Sequence, residues 1–310
     1  MIKNKKIDFR NAVFDQLIKI AVKKKNIFII TADISAYSLE VFKKKFKKNF
    51  FNIGITEQSM VAIACGMAMS KQKKIFAFSM IPFLTMRAYE HIKVDISSTG
   101  LPVTLIGLGS GLSFSTDGPS AHGTTDIALI RALPNFKIFN PSDPTTAMIA
   151  AKESYKSKTP SYIRLDKSQQ VKLYDLKNNF SQGYIETKTG SKICIVSTGI
   201  MVQKAFEIKK ILKEKKKEIS IIDMFRLKPV SEIKLIKSFL KYDKIIILDE
   251  NTIFGGLVPI VTDLIARHKL SKEIKIFSLP DTQCFNYGDR NWLHKKYKID
   301  NKSVINYILR

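Results

Sequence analysis

Phe9, Val13, Phe14, Leu17, Ile18 and Ala21 recur at the spacing of one helical face, and the run closes on Lys23–Lys25, cations suited to a helix carboxyl end. The spacing predicts a helix over Phe9–Val22. The next stretch, Asn26-Ile-Phe-Ile-Ile-Thr-Ala-Asp33, has no polar alternation and predicts a strand buried on both faces with a polar residue at its carboxyl end. A second helix and a short strand lead to residue 57. Further buried strands are expected at Ile75–Ser79, Leu101–Gly107, Phe136–Phe139 and, last in this series, Tyr162–Leu165. Helical spacing falls between them, at about Pro82–Ser97, Ile127–Leu133 and Pro144–Tyr155. Gly107 to Gly123 is rich in glycine and serine, has no period, and reads as a long loop.

Buried strands alternating with amphipathic helices imply a doubly wound, mainly parallel α/β sheet. From about Asp166 to Gly190 the pattern lapses into polar, Lys- and Asn-containing sequence, and strands resume at Ile193–Ser197, Ile219–Asp223 and Lys244–Glu250. The expected organisation is therefore two doubly wound α/β domains, residues 1–166 and 191–310, joined by a linker at 167–190. Gly255-Gly256, after the strand-end Asp249-Glu250, reads as a loop-to-helix turn packed tightly on the second sheet.

Open α/β sheets bind ligands beyond the carboxyl ends of their strands, where Asp33, Glu57, Ser79–Phe83 and Gly107–His122 are all expected. Phe51–Met69 is the most pointed of these stretches. It starts as a strand, turns at Gly54, and continues as an Ala-, Gly- and Met-rich helix expected to be buried almost all round. Thr56 is placed to cap that helix and Glu57 to complement its dipole. A carboxylate at the mouth of a buried helix has its pKa raised and becomes a candidate proton holder.

Bulk properties narrow the class. A length of 310 residues with 45% apolar content suits a two-domain globular protein. No run is long and apolar enough to span a bilayer, and the charged N-terminus has no apolar region behind it. Cys65, Cys194 and Cys284 lie far apart without paired spacing, as reduced thiols of a cytoplasmic protein would, and form no metal or disulfide pattern. The net charge of +25 invites a nucleic-acid reading. Against it, Lys outnumbers Arg, the clusters (Lys23–Lys25, Lys43–Lys48, Lys213–Lys217) sit at predicted helix ends, and no ring-stacking motif accompanies them.

Gly-Ile-Thr-Glu-Gln (54–58), Phe-Leu-Thr-Met-Arg-Ala-Tyr (83–89), Asp-Gly-Pro-Ser-Ala-His (117–122), Arg-Ala-Leu-Pro-Asn (131–135), Asn-Pro-Ser-Asp (140–143) and Asp-Glu-Asn…Gly-Gly (249–256) follow in order along the chain. This series resembles the carboxyl-terminal part of transketolase and the corresponding part of 1-deoxyxylulose-5-phosphate synthase, and it covers nearly the whole chain. The resemblance implies a thiamine-diphosphate pyrimidine-binding domain followed by a transketolase C-terminal-like domain. It implies that Glu57, with Ile55 beside it, contacts the cofactor, and that the Glu57 carboxyl activates it through the pyrimidine ring. It also implies that Phe83 stacks on that ring, with Leu84 or Met86 able to fill part of the same site. Asp33 matches a family aspartate near the cofactor, and a strand-end Asp equally suits a helix N-cap for Ser35 onwards. Asp117 and His122 would meet the sugar, His122 taking part in proton handling; Arg10 and Arg164 match arginines that hold its phosphate. Arg10, in a first helical turn, equally fits an ordinary surface residue.

The chain departs from the pattern in two places. Ala121 stands where transketolase has its loop histidine, with His122 one residue late, and Gly109-Ser110 replaces a further histidine. The family's diphosphate and Mg²⁺ motif is missing too. Gly107-Leu-Gly-Ser-Gly111 lacks the lysine and the strand-turn-helix setting of a phosphate loop. The expectation is a C-terminal subunit of a split transketolase that supplies no metal ligand. A separate N-terminal subunit would carry the diphosphate and Mg²⁺, two copies of each chain would assemble, and sugar phosphates would exchange a two-carbon ketol unit. The rival readings are the beta subunit of a 2-oxoacid dehydrogenase, a 1-deoxyxylulose-5-phosphate-synthase-like enzyme, and a non-catalytic scaffold.

Overall fold

The apolar runs become the strands of two open sheets. In the computed structural model, which describes residues 5–70 and 72–310, the first sheet has seven strands. Their order is Arg226–Lys228, Lys137–Phe139, Ser161–Leu165, Val103–Leu108, Lys74–Met80, Ile27–Thr31 and Phe50–Asn52. All run parallel except Arg226–Lys228, which is antiparallel to its neighbour. The second sheet has the order Glu273–Leu279, Lys244–Thr252, Ile193–Ser197, Ser220–Asp223 and Ile185–Thr187, with only the last antiparallel among the described strands.

The period of two along each strand sorts the core onto two faces. Ile27, Ile29, Phe76 and Phe78 pack beneath the helices Phe9–Lys24 and Pro144–Lys156. Ile30, Ile75 and Ala77 pack on the opposite face against Met60, Val61 and Ala64 of the helix Glu57–Ala68. That second cluster runs on without a break through Met224 and Leu227 to Leu257 and Val261 of the second domain. The predicted lysine-rich helix ends are where expected, with Lys23 and Lys24 in one last turn and Lys43, Lys44 and Lys45 in another. Among the described residues no helix is long and apolar enough to cross a membrane.

Four expectations change. Ser161–Leu165 is not the last strand of the first sheet, because Arg226–Lys228 returns from beyond residue 190 to pair with Lys137–Phe139. Within 167–190, Gln169–Gln170 pairs with Ile7–Asp8, and Ile185–Thr187 edges the second sheet. The predicted helix Pro82–Ser97 is π-helical over Phe83–Arg87 and again over Ile92–Ser97. Thr85 contributes to the first departure by spending its hydroxyl on the Ile81 carbonyl at 2.8 Å, competing with the backbone ladder. Finally, the helix Glu57–Ala68 is buried on one face only. Gln58, Ser59, Ala62, Ile63 and Gly66 face outward, and Thr56 spends its hydroxyl on the Ile53 carbonyl (3.2 Å) instead of capping.

Candidate active site

The first sheet reverses its strand order at Ile27–Thr31: the chain steps to Phe50–Asn52 on one side, then crosses to Lys74–Met80 on the other. The crevice beyond such a reversal is where open α/β sheets hold ligands. The helix that makes the crossing begins at Glu57, so its first side chain lies at that crevice. Glu57 is 1% exposed. Its Oε1 accepts from Ser79 Oγ, at the end of the neighbouring strand, at 3.0 Å, and its Oε2 accepts from Arg87 Nη1 at 2.8 Å. Ser79 aims the carboxylate and Arg87 matches its charge.

Arg87 is a site residue that sequence reasoning missed. Its guanidinium lies 4.6 Å from the centre of the Phe83 ring, in cation–π range. The spacing of four between Phe83 and Arg87 was the available signal; the reach to Glu57, thirty positions earlier, had none. Phe83 is half-buried, Leu84 is fully buried, and Met86 is exposed. Of the three, Phe83 presents its ring beside the carboxylate's partner.

Asp33 does not cap a helix; the following helix starts at Tyr37 behind Ala36. Asp33 has left-handed backbone (φ 53°) and is held by Asn52, whose Oδ1 accepts from the Asp33 amide (3.0 Å) and from the Gly54 amide (3.2 Å). Asn52 Nδ2 donates back to Asp33 Oδ1 at 3.1 Å. This clamp holds the turn that leads into Glu57 and leaves Ile55 projecting, 68% exposed. Asn52 is a second residue sequence reasoning did not single out.

The Gly107–Gly123 loop closes at its neck: the Gly111 amide donates to the Gly123 carbonyl (2.7 Å) and the Gly123 amide to the Gly111 carbonyl (3.1 Å). Asp117 is exposed near the tip. His122 is 2% exposed with neither ring nitrogen hydrogen-bonded, and burial lowers its pKa from the ordinary imidazole value.

The two arginines sit in different surroundings. Arg10 sits in the first turn of its helix, paired with Asp8 (2.6 Å) and reaching the Ser35 carbonyl at 3.3 Å. Arg164, matched by the resemblance to a phosphate-holding arginine, is 3% exposed with four of its five N–H donors spent within the chain. Its Nε donates to Asp126 (2.8 Å), Nη1 to Asn140 (3.3 Å), and Nη2 to Asn251 (2.7 Å) and the Gly123 carbonyl. Burial opposes its charge, but Asp126, Tyr162 and Asp249 together hold its pKa above the ordinary arginine value.

Residues 5–171 match the model of the transketolase pyrimidine-binding domain, and residues 182–304 match that of the transketolase C-terminal domain. The chain belongs to the transketolase family. Among its relatives, an apulose-4-phosphate transketolase subunit of Actinobacillus succinogenes is 28% identical, over 91% of this chain and 90% of that protein. A putative transketolase C-terminal section of Methanocaldococcus jannaschii is 29% identical, over 97% of this chain and 95% of that protein. The 1-deoxy-D-xylulose-5-phosphate synthase of Clostridium tetani is 29% identical over 99% of this chain, which spans 50% of that enzyme. A solved structure described as a split gene transketolase, inactive beta4 tetramer, superposes with a TM-score of 0.87 at 28% identity, covering 98% of this chain and 97% of that one.

Thiamine diphosphate is the cofactor of this family. The crevice fits the pyrimidine half of such a group: a buried carboxylate aimed by Ser79 and a half-buried ring at Phe83. Among the described residues no group of three or more His, Cys, Asp or Glu side chains is placed to hold a metal ion.

Proposed function

We propose that the chain is the C-terminal subunit of a split, thiamine-diphosphate-dependent transketolase, moving a two-carbon ketol unit between sugar phosphates. The observation that carries this reading is Glu57, a buried carboxylate at the strand-order reversal, aimed by Ser79 and flanked by the Phe83–Arg87 pair. Bound there, the cofactor would supply a carbon nucleophile for ketol transfer. Glu57 holds a hydrogen bond to the pyrimidine ring, and Phe83 supplies the flat apolar surface against it. Ile55 and Asp33 line the approach. His122 takes or gives a proton at the substrate oxygen, and Asp117 accepts from a sugar hydroxyl. Arg10, at the same strand-end rim, is the remaining candidate for the phosphate. Arg164 is left out of substrate binding.

A separate chain carries the diphosphate and Mg²⁺ in this proposal. The near-complete overlap with proteins named as one subunit of a transketolase and as a transketolase C-terminal section supports it. So does the description of the similar split-gene structure as an inactive tetramer of beta chains. The outward face of the helix Glu57–Ala68, with exposed Ile63 and, nearby in sequence, exposed Ile55 and Met69, is assigned to pairing with a second copy in a two-plus-two assembly.

Comparable identity to 1-deoxy-D-xylulose-5-phosphate synthase favours one second reading, a pyruvate-using relative of that enzyme. Mixing the chain with an N-terminal partner, thiamine diphosphate and Mg²⁺ and assaying xylulose 5-phosphate or pyruvate as donor separates the two. Ketol transfer that needs both chains supports the proposal. Full transfer by this chain alone, or use of pyruvate only, overturns it.

A further inference from the structure

The first domain carries the Gly107–Gly123 loop and ties its neck to Leu165 and Asp166, and groups of the second domain brace that anchorage from the other side. Asp166, just past the strand Ser161–Leu165, accepts from Ser110 Oγ (3.0 Å) and Ser113 Oγ (2.8 Å) of the loop through one oxygen, Oδ2. The same oxygen accepts from Arg290 Nη2 at 2.7 Å, and Arg290 belongs to the helix Arg290–Lys296 of the second domain. Arg290 Nε donates to Glu250 Oε1 at 2.6 Å, while its Nη2 also meets Glu250 Oε2 and His294 Nε2 closes on the same carboxylate. Glu250 in turn lies against Gly111. That residue has φ +56°, and any side chain there would overlap the Glu250 carboxylate. A lighter contact follows nearer the tip, where Tyr287 packs over Gly118, the residue after Asp117.

Asp166, Glu250 and His294 are all buried. Burial alone would raise the carboxyl pKa values, but Arg290 together with Ser168 at Asp166, and together with His294 at Glu250, holds both below their usual range. A buried, charge-paired network with directional hydrogen bonds has one low-energy arrangement, and the loop neck is part of it. None of these four side chains lies at the Glu57 crevice in the way Ser79 and Arg87 do.

We propose that Glu250 and Arg290 are positioning residues: through Asp166 and Gly111 they fix the loop in the place from which Asp117 and His122 meet the sugar. The inference rests on the proposed role of that loop. The second domain therefore acts on substrate binding without touching the cofactor end of the site.

The test uses the full chain with Glu250→Gln and Arg290→Lys. Amide hydrogen exchange across residues 109–123 is expected to speed up by about tenfold in each variant, because the neck opens locally. In the two-subunit holoenzyme the KM for xylulose 5-phosphate should rise about tenfold or more while thiamine diphosphate affinity stays within about twofold, as for outer-shell partners elsewhere. Unchanged exchange overturns the inference, and so does loss of cofactor and sugar affinity together in step with lowered thermal stability. If the unsubstituted holoenzyme transfers no ketol unit, the functional proposal fails, and the exchange measurement still decides whether the second domain holds the loop. Should Glu250→Gln not fold, Ser113→Ala removes one loop-side donor and leaves both charges paired. Its exchange should rise about threefold, the change expected for one lost hydrogen bond of under 1 kcal/mol, and no rise again overturns the inference.

Discussion

Both sheets contain a reversal of strand order with a buried acid near an arginine. At the first, between Ile27–Thr31 and Lys74–Met80, Glu57 is sealed from solvent while its partner Arg87 is 44% exposed. At the second, between Ile193–Ser197 and Lys244–Thr252, the crevice is plugged from the other domain. Asn140 meets Thr198 there, and Arg164 meets Asn251. Asp249 at that edge is spent on capping, its Oδ2 accepting from the Leu257 amide at 2.7 Å over the tight Gly255-Gly256 turn. A buried arginine–carboxylate pair is thus not a site in itself. The difference lies in whether the cation reaches open space, where a ligand can replace it, or is locked by acceptors on every side.

Glu57→Gln carries the largest expected effect. Turnover of the two-subunit enzyme should fall about a thousandfold, with the circular dichroism of the chain unchanged. Activity within tenfold of the parent would return Glu57 to the status of a helix-end charge. Arg164→Met should do the opposite, destabilising the fold by about 3 kcal/mol in urea titration because Asp126 is left buried and unpaired. A large KM effect in a chain of unaltered stability would reinstate the phosphate role. His122→Asn should lower kcat/KM about thirtyfold while sparing cofactor affinity, and steady-state kinetics beside a cofactor titration will tell.

The smallest expected effect is a pH slope at the joint. Asp223, fully buried at the end of the strand Ser220–Asp223, has its pKa pushed up to about 8 by burial. The folded chain then keeps a proton that the unfolded chain has released between the ordinary aspartate range and about pH 8, so stability falls as pH rises through that window. Asp223→Asn should flatten this slope in urea midpoints measured at several pH values. An unaltered slope would assign it to another group.

What the sequence made legible is what local chemistry encodes. Ile27, Ile29 and Ile30 announce a strand without help from elsewhere, and Phe9, Val13 and Leu17 a helix. That Glu57 opens a helix at a strand end was legible in the local pattern of Phe51–Met69, and the structure buries it there. The enclosure of Arg164 was not legible because its four partners come from positions 123, 126, 140 and 251, and nothing near it in the chain advertises them. The outward face of the helix Glu57–Ala68 was misjudged for a related reason. Alanine, glycine and isoleucine look alike whether they face their own core or a second chain.

The strand Arg226–Lys228 bears on how the protein is made. The first sheet holds residues 27 to 165 and then waits for three more that emerge some sixty positions later. Until they arrive, Lys137–Phe139 is a naked edge with unpaired amides, the kind of surface on which nascent chains stick to one another. Cutting the gene at the polar stretch after Leu165 would make that transient state permanent. Synthesis has to run past residue 228 before the sheet that carries Glu57 is finished.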